Sequence, residues 1–199
     1  MGLSKQANVL SKAQVAAVNH HIKLQRHGLR NQVIFGLSVR AGLRAKEIAF
    51  LKWSMLLEAD GKIGKCINLT NEASKGNSGR IIPLNKELRE MLYHWRCNSM
   101  AGYIDNDHSL HVISSERSMS VKPQVIVNMF RKWYRDLGLV GCSSHSGRRT
   151  FITNAARKIS TVGGSLRDVQ FLAGHSSLNT TQRYIEGDSE ARSKIVNLI

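Results

Sequence analysis

Along most of this chain the apolar residues recur at helical spacing, and they give way only once to a pair of short β-type runs. That pattern restricts the fold to helices around a small hairpin. Ser11 followed by Gln14 reads as a capping box, and an apolar period runs on through Val15, Val18 and Ile22. Residues 31–39 read as a second, more apolar helix. Ala41-Gly42 breaks it, and residues 45–56 resume the period with Ile48, Leu51 and Leu56 on one side, leaving Arg44 at a helix start. Residues 65–70 and 80–84 are β-type runs separated by the polar, glycine-containing NEASKGNSG, the pattern of a hairpin with a loose tip, near which Lys75 stands. Further helices are expected over 86–98, 122–137, 146–159, 165–172 and 180–185, with a brief strand at 111–113. A tail helix is expected over 189–199, with Ile195, Val196 and Leu198 to bury. The fold class is mainly α with a small antiparallel β-sheet (α+β).

At 199 residues, 42% of them hydrophobic and only two of them proline, the chain is long enough for a real core in one domain without help from metal or disulfide. No stretch approaches the apolar length of a membrane span, and the first residues lack a signal-peptide pattern, so the expected compartment is the cytosol. Cys66, Cys97 and Cys142 are odd in number, widely spaced and without a CxxC pair, which argues against a disulfide framework or a zinc cluster. They read as ordinary buried thiols.

Charge narrows the partner. Lysine plus arginine number 29 against 14 acidic residues, a formal +15, well beyond what solubility requires. A merely basic surface and a membrane surface compete with nucleic acid here. The charge is spread along the chain and not gathered in one amphipathic helix or tail, which favours nucleic acid.

The candidate chemistry lies in four places. HSGRRTF sets His145 and Arg148 three residues apart at a helix start, so both face one way and can grip one phosphate. Gly174-His175 adds a second imidazole, Tyr184 follows it, and AGLRAKE offers Arg44 beside a glycine break. Five groups can therefore meet at one anion.

Arg44 in AGLRAKEIAFLKW, Lys75 in SKGNSGRIIPL, His145 and Arg148 in HSGRRTF, His175 in LAGHSS and Tyr184 in TTQRYI, in that order, resemble the active-site set of the tyrosine recombinases, the phage integrase family. An HxxR or GH pair alone is common; the ordered series, covering about residues 10–199, is specific. The resemblance implies a catalytic domain that cuts one strand of double-stranded DNA with tyrosine, holds it as a 3′-phosphotyrosyl bond and rejoins it to another 5′-hydroxyl. A phenol with a pKa of about 10 needs a base or nearby positive charge to react at neutral pH, which His145 and two guanidiniums supply. Arg44 and Arg148 suit the non-bridging oxygens of the transition state. Lys75 suits the general acid for the departing 5′-oxygen, and His175 a donor to the phosphate. No cofactor or metal is called for, and religation needs no ATP, since the phosphotyrosine keeps the ester linkage.

Glu47 resembles the family's acidic position and is expected to orient an arginine, and Arg149 to make a backbone-phosphate or structural contact. Tyr93, Tyr103 and Tyr134 read as packing residues, and His20, His21, His27, His94, His108 and His111 as surface or core histidines. Too few residues precede Arg44 for the amino-terminal clamp domain of most members. The chain therefore reads as a single catalytic domain, core at about 10–188, either part of a longer enzyme or one of the short recombinases that invert a promoter segment. The family also implies a homo-oligomer, a tetramer on DNA, in which the tail beyond the tyrosine docks on a neighbour, and allows an accessory DNA-bending protein. A catalytically idle DNA-binding regulator and a type IB topoisomerase are the alternatives.

Overall fold

In the computed structural model, residues 6–74, 78–99, 108–116 and 118–184 are described. Eight helices and one hairpin follow in chain order among them: α1 (Lys12–Lys23), α2 (Gly28–Ala41), α3 (Ala45–Ala49), β1 (Cys66–Leu69), β2 (Arg80–Pro83), α4 (Lys86–Ser99), α5 (Pro123–Asp136), α6 (Ser146–Lys158), α7 (Leu166–Ala173) and α8 (Leu178–Gln182). None of these helices is long and apolar enough to cross a membrane. The mainly helical class with a two-stranded antiparallel sheet agrees with the sequence pattern.

α2 is the central element. Val33, Ile34, Phe35 and Leu37 are wholly buried, and the helix packs against α1, α4 and α6. Burying each such side chain contributes about 1.5–3 kcal/mol, so α2 is stable as the hub of the core despite the glycine in its interior, Gly36. Gly147 on α6 allows the closest of these approaches, because a Cβ there would lie 2.5 Å from the Ser38 hydroxyl of α2. α5 completes the main core with an aromatic group: Phe130 stands 6.4 Å from Phe35, 5.3 Å from Trp133 and 6.0 Å from Tyr134, measured between ring centroids. A second, smaller apolar cluster of Ile152, Ala156, Val169 and Ala173 joins α6 to α7.

The capping box at Ser11 forms as its sequence indicates, with Gln14 N–H donating to the Ser11 hydroxyl at 3.2 Å and Ser11 N–H donating to the Gln14 side chain at 2.9 Å. The hairpin pairs Ile67 with Ile82 and Leu69 with Arg80, burying Ile67, Leu69 and Ile82 and leaving Ile81 outward.

Several expectations need correction. The third helix stops at Ala49 and does not reach residue 56; a 3-10 turn at Trp53–Met55 follows. Ile48, Leu51 and Leu56 are buried all the same, so the periodic apolar residues report burial and not continuous helix. Residues 111–113 form no strand: Lys52 and His111 make an isolated bridge, because Val112 N–H donates to Leu51 O in a single crossing of two loops. The thiols are not buried: Cys97, near the end of α4, is exposed, and Cys66, which opens β1, and Cys142, in the turn between α5 and α6, are half-buried. Tyr93 projects outward with 58% exposure, whereas Tyr134 is buried as a packing residue. Lys75, Tyr103 and the tail over 189–199 lie outside the described residues.

Gly42 ends α2 with φ +66, and a Cβ there would lie 2.5 Å from a ring carbon of Phe151. Gly42→Ala therefore should lower stability by about 1–2 kcal/mol through left-handed backbone strain and displacement of the ring. Urea denaturation of the two proteins measures it, and an unchanged midpoint would contradict the assignment.

Candidate active site

The site begins with the turn that follows α2. Gly42 N–H donates to Ser38 O at 3.1 Å and Leu43 N–H to Leu37 O at 3.0 Å, a glycine-terminated helix end. The chain reverses there and sets Arg44 as the N-cap of α3. One turn on, Glu47 accepts the Arg44 backbone N–H at 2.8 Å and pairs with its guanidinium at 2.8 Å. Glu47 is wholly buried, and its carboxylate also takes both ends of the Arg80 guanidinium, at 2.9 and 3.2 Å. Arg80 Nε donates to Leu172 O at 2.9 Å. One acid thus ties α3 to β2, and through Arg80 to α7.

Arg148 makes the second tie. It is 4% exposed and donates to Gly42 O at 2.6 Å and to Ala173 O, joining the α2–α3 turn to the end of α7. The end of α7 is Gly174, left-handed, and His175 follows it. His175 Nδ1 and the Thr181 hydroxyl lie 2.9 Å apart. Tyr184 stands past the last residue of α8, not within a helix extending to residue 185 as the sequence pattern indicated. Its ring stacks on His175 with centroids 5.5 Å apart and planes at 24°, and it packs against the smaller apolar cluster. The polar neighbours in sequence did not disclose that partial burial.

A cavity of about 500 Å³ brings together Arg44, His145, Arg148, His175 and Tyr184. An adjoining cavity of about 830 Å³ shares Arg44 and His175 and is lined by Arg80 and by Ser78 and Gly79 of the hairpin. Five of the six residues singled out from sequence therefore share one hollow; the sixth, Lys75, is outside the described residues. Arg44 and Arg148 line that cavity together.

The charges perturb one another. Burial, and then the nearby Arg44, push Arg148 down to about 9, with Glu47 opposing, so it remains cationic at neutral pH. Desolvation followed by Arg148, Arg44 and Arg80 pushes His175 down to about 4. His145 is exposed as a residue, yet its imidazole is partly desolvated at the cavity mouth; that desolvation first, and Arg148 and Arg44 next, lower it from the ordinary imidazole value. Both imidazoles are neutral at pH 7 beside fixed cations. Such a pocket favours an anion, and its neutral rings can still accept or donate a proton.

Sequence reasoning passed over Arg80, Thr181 and Gln6. Arg80 and Glu47 are 33 positions apart, beyond any local periodicity; the one available signal was a lone acid amid an excess of cations. Glu47 does orient Arg44, as its spacing suggests. Arg149 lines the cavity and lies over the Tyr184 ring. Among the described residues no group of three or more histidine, cysteine or acidic side chains is placed to hold a metal ion.

Burial raises the Glu47 pKa, but the hydrogen bond and charge of Arg80 and those of Arg44 outweigh it and hold the carboxyl below the usual range. Its folded pKa lies below its unfolded one, so its stabilisation is fully present above the unfolded value, about 4.3, and is lost as pH falls through the folded value. Glu47→Ala leaves two guanidiniums facing each other and should cost about 3–5 kcal/mol in urea denaturation at pH 7. The deficit should shrink as pH falls below the usual carboxylate range; a pH-independent deficit would argue that only packing was lost.

Residues 8–190 match the model of the phage integrase family. Tyrosine recombinase XerC of Shewanella sp. (strain ANA-3) is 28% identical over 98% of this chain and 62% of its own length. Tyrosine recombinase XerD of Lacticaseibacillus casei is 27% identical over 79% of this chain and 50% of its own length. The chain thus spans roughly half to three-fifths of these relatives. Among solved structures, the XerA recombinase superposes with a TM-score of 0.75 at 23% identity, covering 97% of this chain and 65% of that one. The XerH site-specific recombinase bound to its difH substrate gives 0.70 at 21% identity, over 98% of this chain and 55% of that one. With its fold, its ordered motifs and a family match over nearly its whole length in agreement, the chain belongs to the phage integrase family, the tyrosine recombinases.

Proposed function

We propose that the chain is the catalytic domain of a site-specific recombinase, cutting and rejoining double-stranded DNA through a 3′-phosphotyrosyl bond to Tyr184. The observation that carries this reading is the single cavity in which Arg44, His145, Arg148, His175 and Tyr184 meet. Relatives named tyrosine recombinases, and a fold neighbour solved on a DNA substrate, support it.

Each residue then has a chemical task. The Tyr184 oxygen attacks the scissile phosphorus, forming a P–O bond to the phenol as the bond to the 5′-oxygen breaks. His145, neutral at pH 7 because its pKa is lowered, takes the phenolic proton. Arg44 and Arg148 face the non-bridging oxygens, where negative charge accumulates, with donors already fixed in place. Arg148 is fixed by Gly42 O and Ala173 O, and Arg44 by Glu47. Nδ1 of His175 lies 2.9 Å from the Thr181 hydroxyl, and in the tautomer this reading assigns, Nδ1 accepts from that hydroxyl while the Nε2 proton is donated to the phosphate. Lys75, assigned from sequence, protonates the departing 5′-oxygen. Attack by a different 5′-hydroxyl reverses these steps, and neither ATP nor a metal ion takes part. A formal +15 supplies the backbone attraction. Assembly as a homo-tetramer on DNA, an accessory bending protein and a cytosolic location belong to the same reading.

A nicked duplex that loses the fragment beyond the cut should trap wild-type protein covalently in EDTA, seen as a shifted band on a denaturing gel. Tyr184→Phe should give no adduct while retaining DNA binding; an adduct with that variant would sink the assignment. Because second-order cleavage rates report groups of the free enzyme, their acid limb should lie below the ordinary imidazole value of about 6.5. A limb at or above that value in a pH series under dilute DNA would remove His145 as the base.

A further inference from the structure

Arg149 and Arg183 line the catalytic hollow without a task in the steps above, and of the two it is Arg149 that lies over the ring of the nucleophile. It follows Arg148 in the first turn of α6, lines the same cavity, and its guanidinium carbon lies 5.5 Å from the centroid of the Tyr184 ring. Among the described residues no carboxylate pairs with it. Its partner is instead the side-chain carbonyl of Gln6. Gln6 belongs to a segment stitched across the start of α6: Asn8 N–H donates to Gly141 O at 3.0 Å, the Asn8 amide to Val140 O at 3.0 Å, and Leu10 N–H to the Thr150 hydroxyl at 2.8 Å.

Tyr184 needs such a support. It lies beyond the last turn of a five-residue helix, α8, with its backbone N–H donating to Thr181 O. Its ring is held otherwise by the stack on His175 and the edge of the small apolar cluster. A cation over an aromatic face contributes about 0.5–2 kcal/mol, and it restrains the ring without capping the phenolic oxygen. A guanidinium aimed by a hydrogen bond to Gln6 also loses less rotamer freedom when it takes that position.

Building on the recombinase reading, we infer that Arg149 is a positioning residue for the nucleophile: pinned by Gln6, it seats the Tyr184 ring against His175 and so couples the segment ahead of α1 to the readiness of the active site. The contact acts through Tyr184 and not on the phosphate. Disturbing the segment at Gln6 should therefore loosen the tyrosine even though Gln6 has no part in the chemistry.

The test uses protein labelled with 3-fluorotyrosine, whose four tyrosines give separate fluorine signals, with Tyr184 assigned by Tyr184→Phe. In Arg149→Met the Tyr184 signal should sharpen and move toward free fluorotyrosine, in Gln6→Ala it should move the same way but less, and in Arg149→Lys it should stay near the wild-type position. The other three signals report that the fold is intact. On the trapping duplex, adduct formation at saturating DNA should slow roughly 2- to 30-fold in Arg149→Met, the range a lost cation–π contact gives, and recover in Arg149→Lys. The DNA concentration for half-saturation should stay within about twofold, as for a group that acts after binding. An unmoved Tyr184 signal, or weaker DNA binding with an unchanged saturated rate, overturns the inference and makes Arg149 a backbone contact. If the signal moves as expected but wild-type protein forms no adduct, the seat stands and the recombinase reading fails.

Discussion

The buried carboxylate of Glu47 is the interaction on which the rest of the site depends. An uncompensated acid in that position would be costly, and two uncompensated arginines more so. Together they satisfy one another: Arg80 grips the carboxylate in a fork while Arg44 takes one oxygen from the side. The arrangement also fixes geometry that packing cannot. α3 is five residues long, too short to hold Arg44 by its own rigidity, and among the described residues the hairpin strand that carries Arg80 pairs with one other strand. Joined through Glu47, both become parts of one frame.

Arg148 extends that frame across a seam. The main core gathers around α2 and α5, and the smaller cluster joins α6 to α7. Arg44 hangs from the first, His175 and Tyr184 from the second, and Arg148 binds carbonyls of both sides. Its two backbone bonds turn a long, rotatable side chain into a preorganised donor at the cavity.

Concentrating cations around neutral imidazoles has a chemical consequence. Beyond desolvation, Arg148 and Arg44 make protonation of both His145 and His175 harder, and Arg80 adds to this at His175, so positive charge that attracts an anion also keeps the adjacent rings neutral. A bound phosphate would reverse part of that effect, since an anion favours the protonated ring. Attraction of an anion and adjustment of the histidines are thus one electrostatic device.

Much of this was legible in the residues themselves. Helix starts announced by Ser11 with Gln14, the break at Gly42 and the hairpin flanks depend on neighbours a few positions away, and those interactions survive translation into any tertiary setting. The ordered series Arg44, His145, Arg148, His175 and Tyr184 likewise identified which side chains to watch. Local pattern failed where packing overrode it. The stretch after Ala49 buries its apolar residues through loops, and Tyr184 is partly buried despite polar sequence neighbours. By itself, then, the sequence determined the helical class, the hairpin, the strongly basic character and five side chains that line one cavity. Only the tertiary structure decided that Glu47 would hold Arg44 and Arg80 together, that Arg148 would bridge Gly42 and Ala173, and that Gln6 would reach Arg149. Apart from the local Arg44–Glu47 pair, those contacts join residues 25 or more positions apart, and their energy exists only once the cores have excluded water and brought the partners within bonding distance.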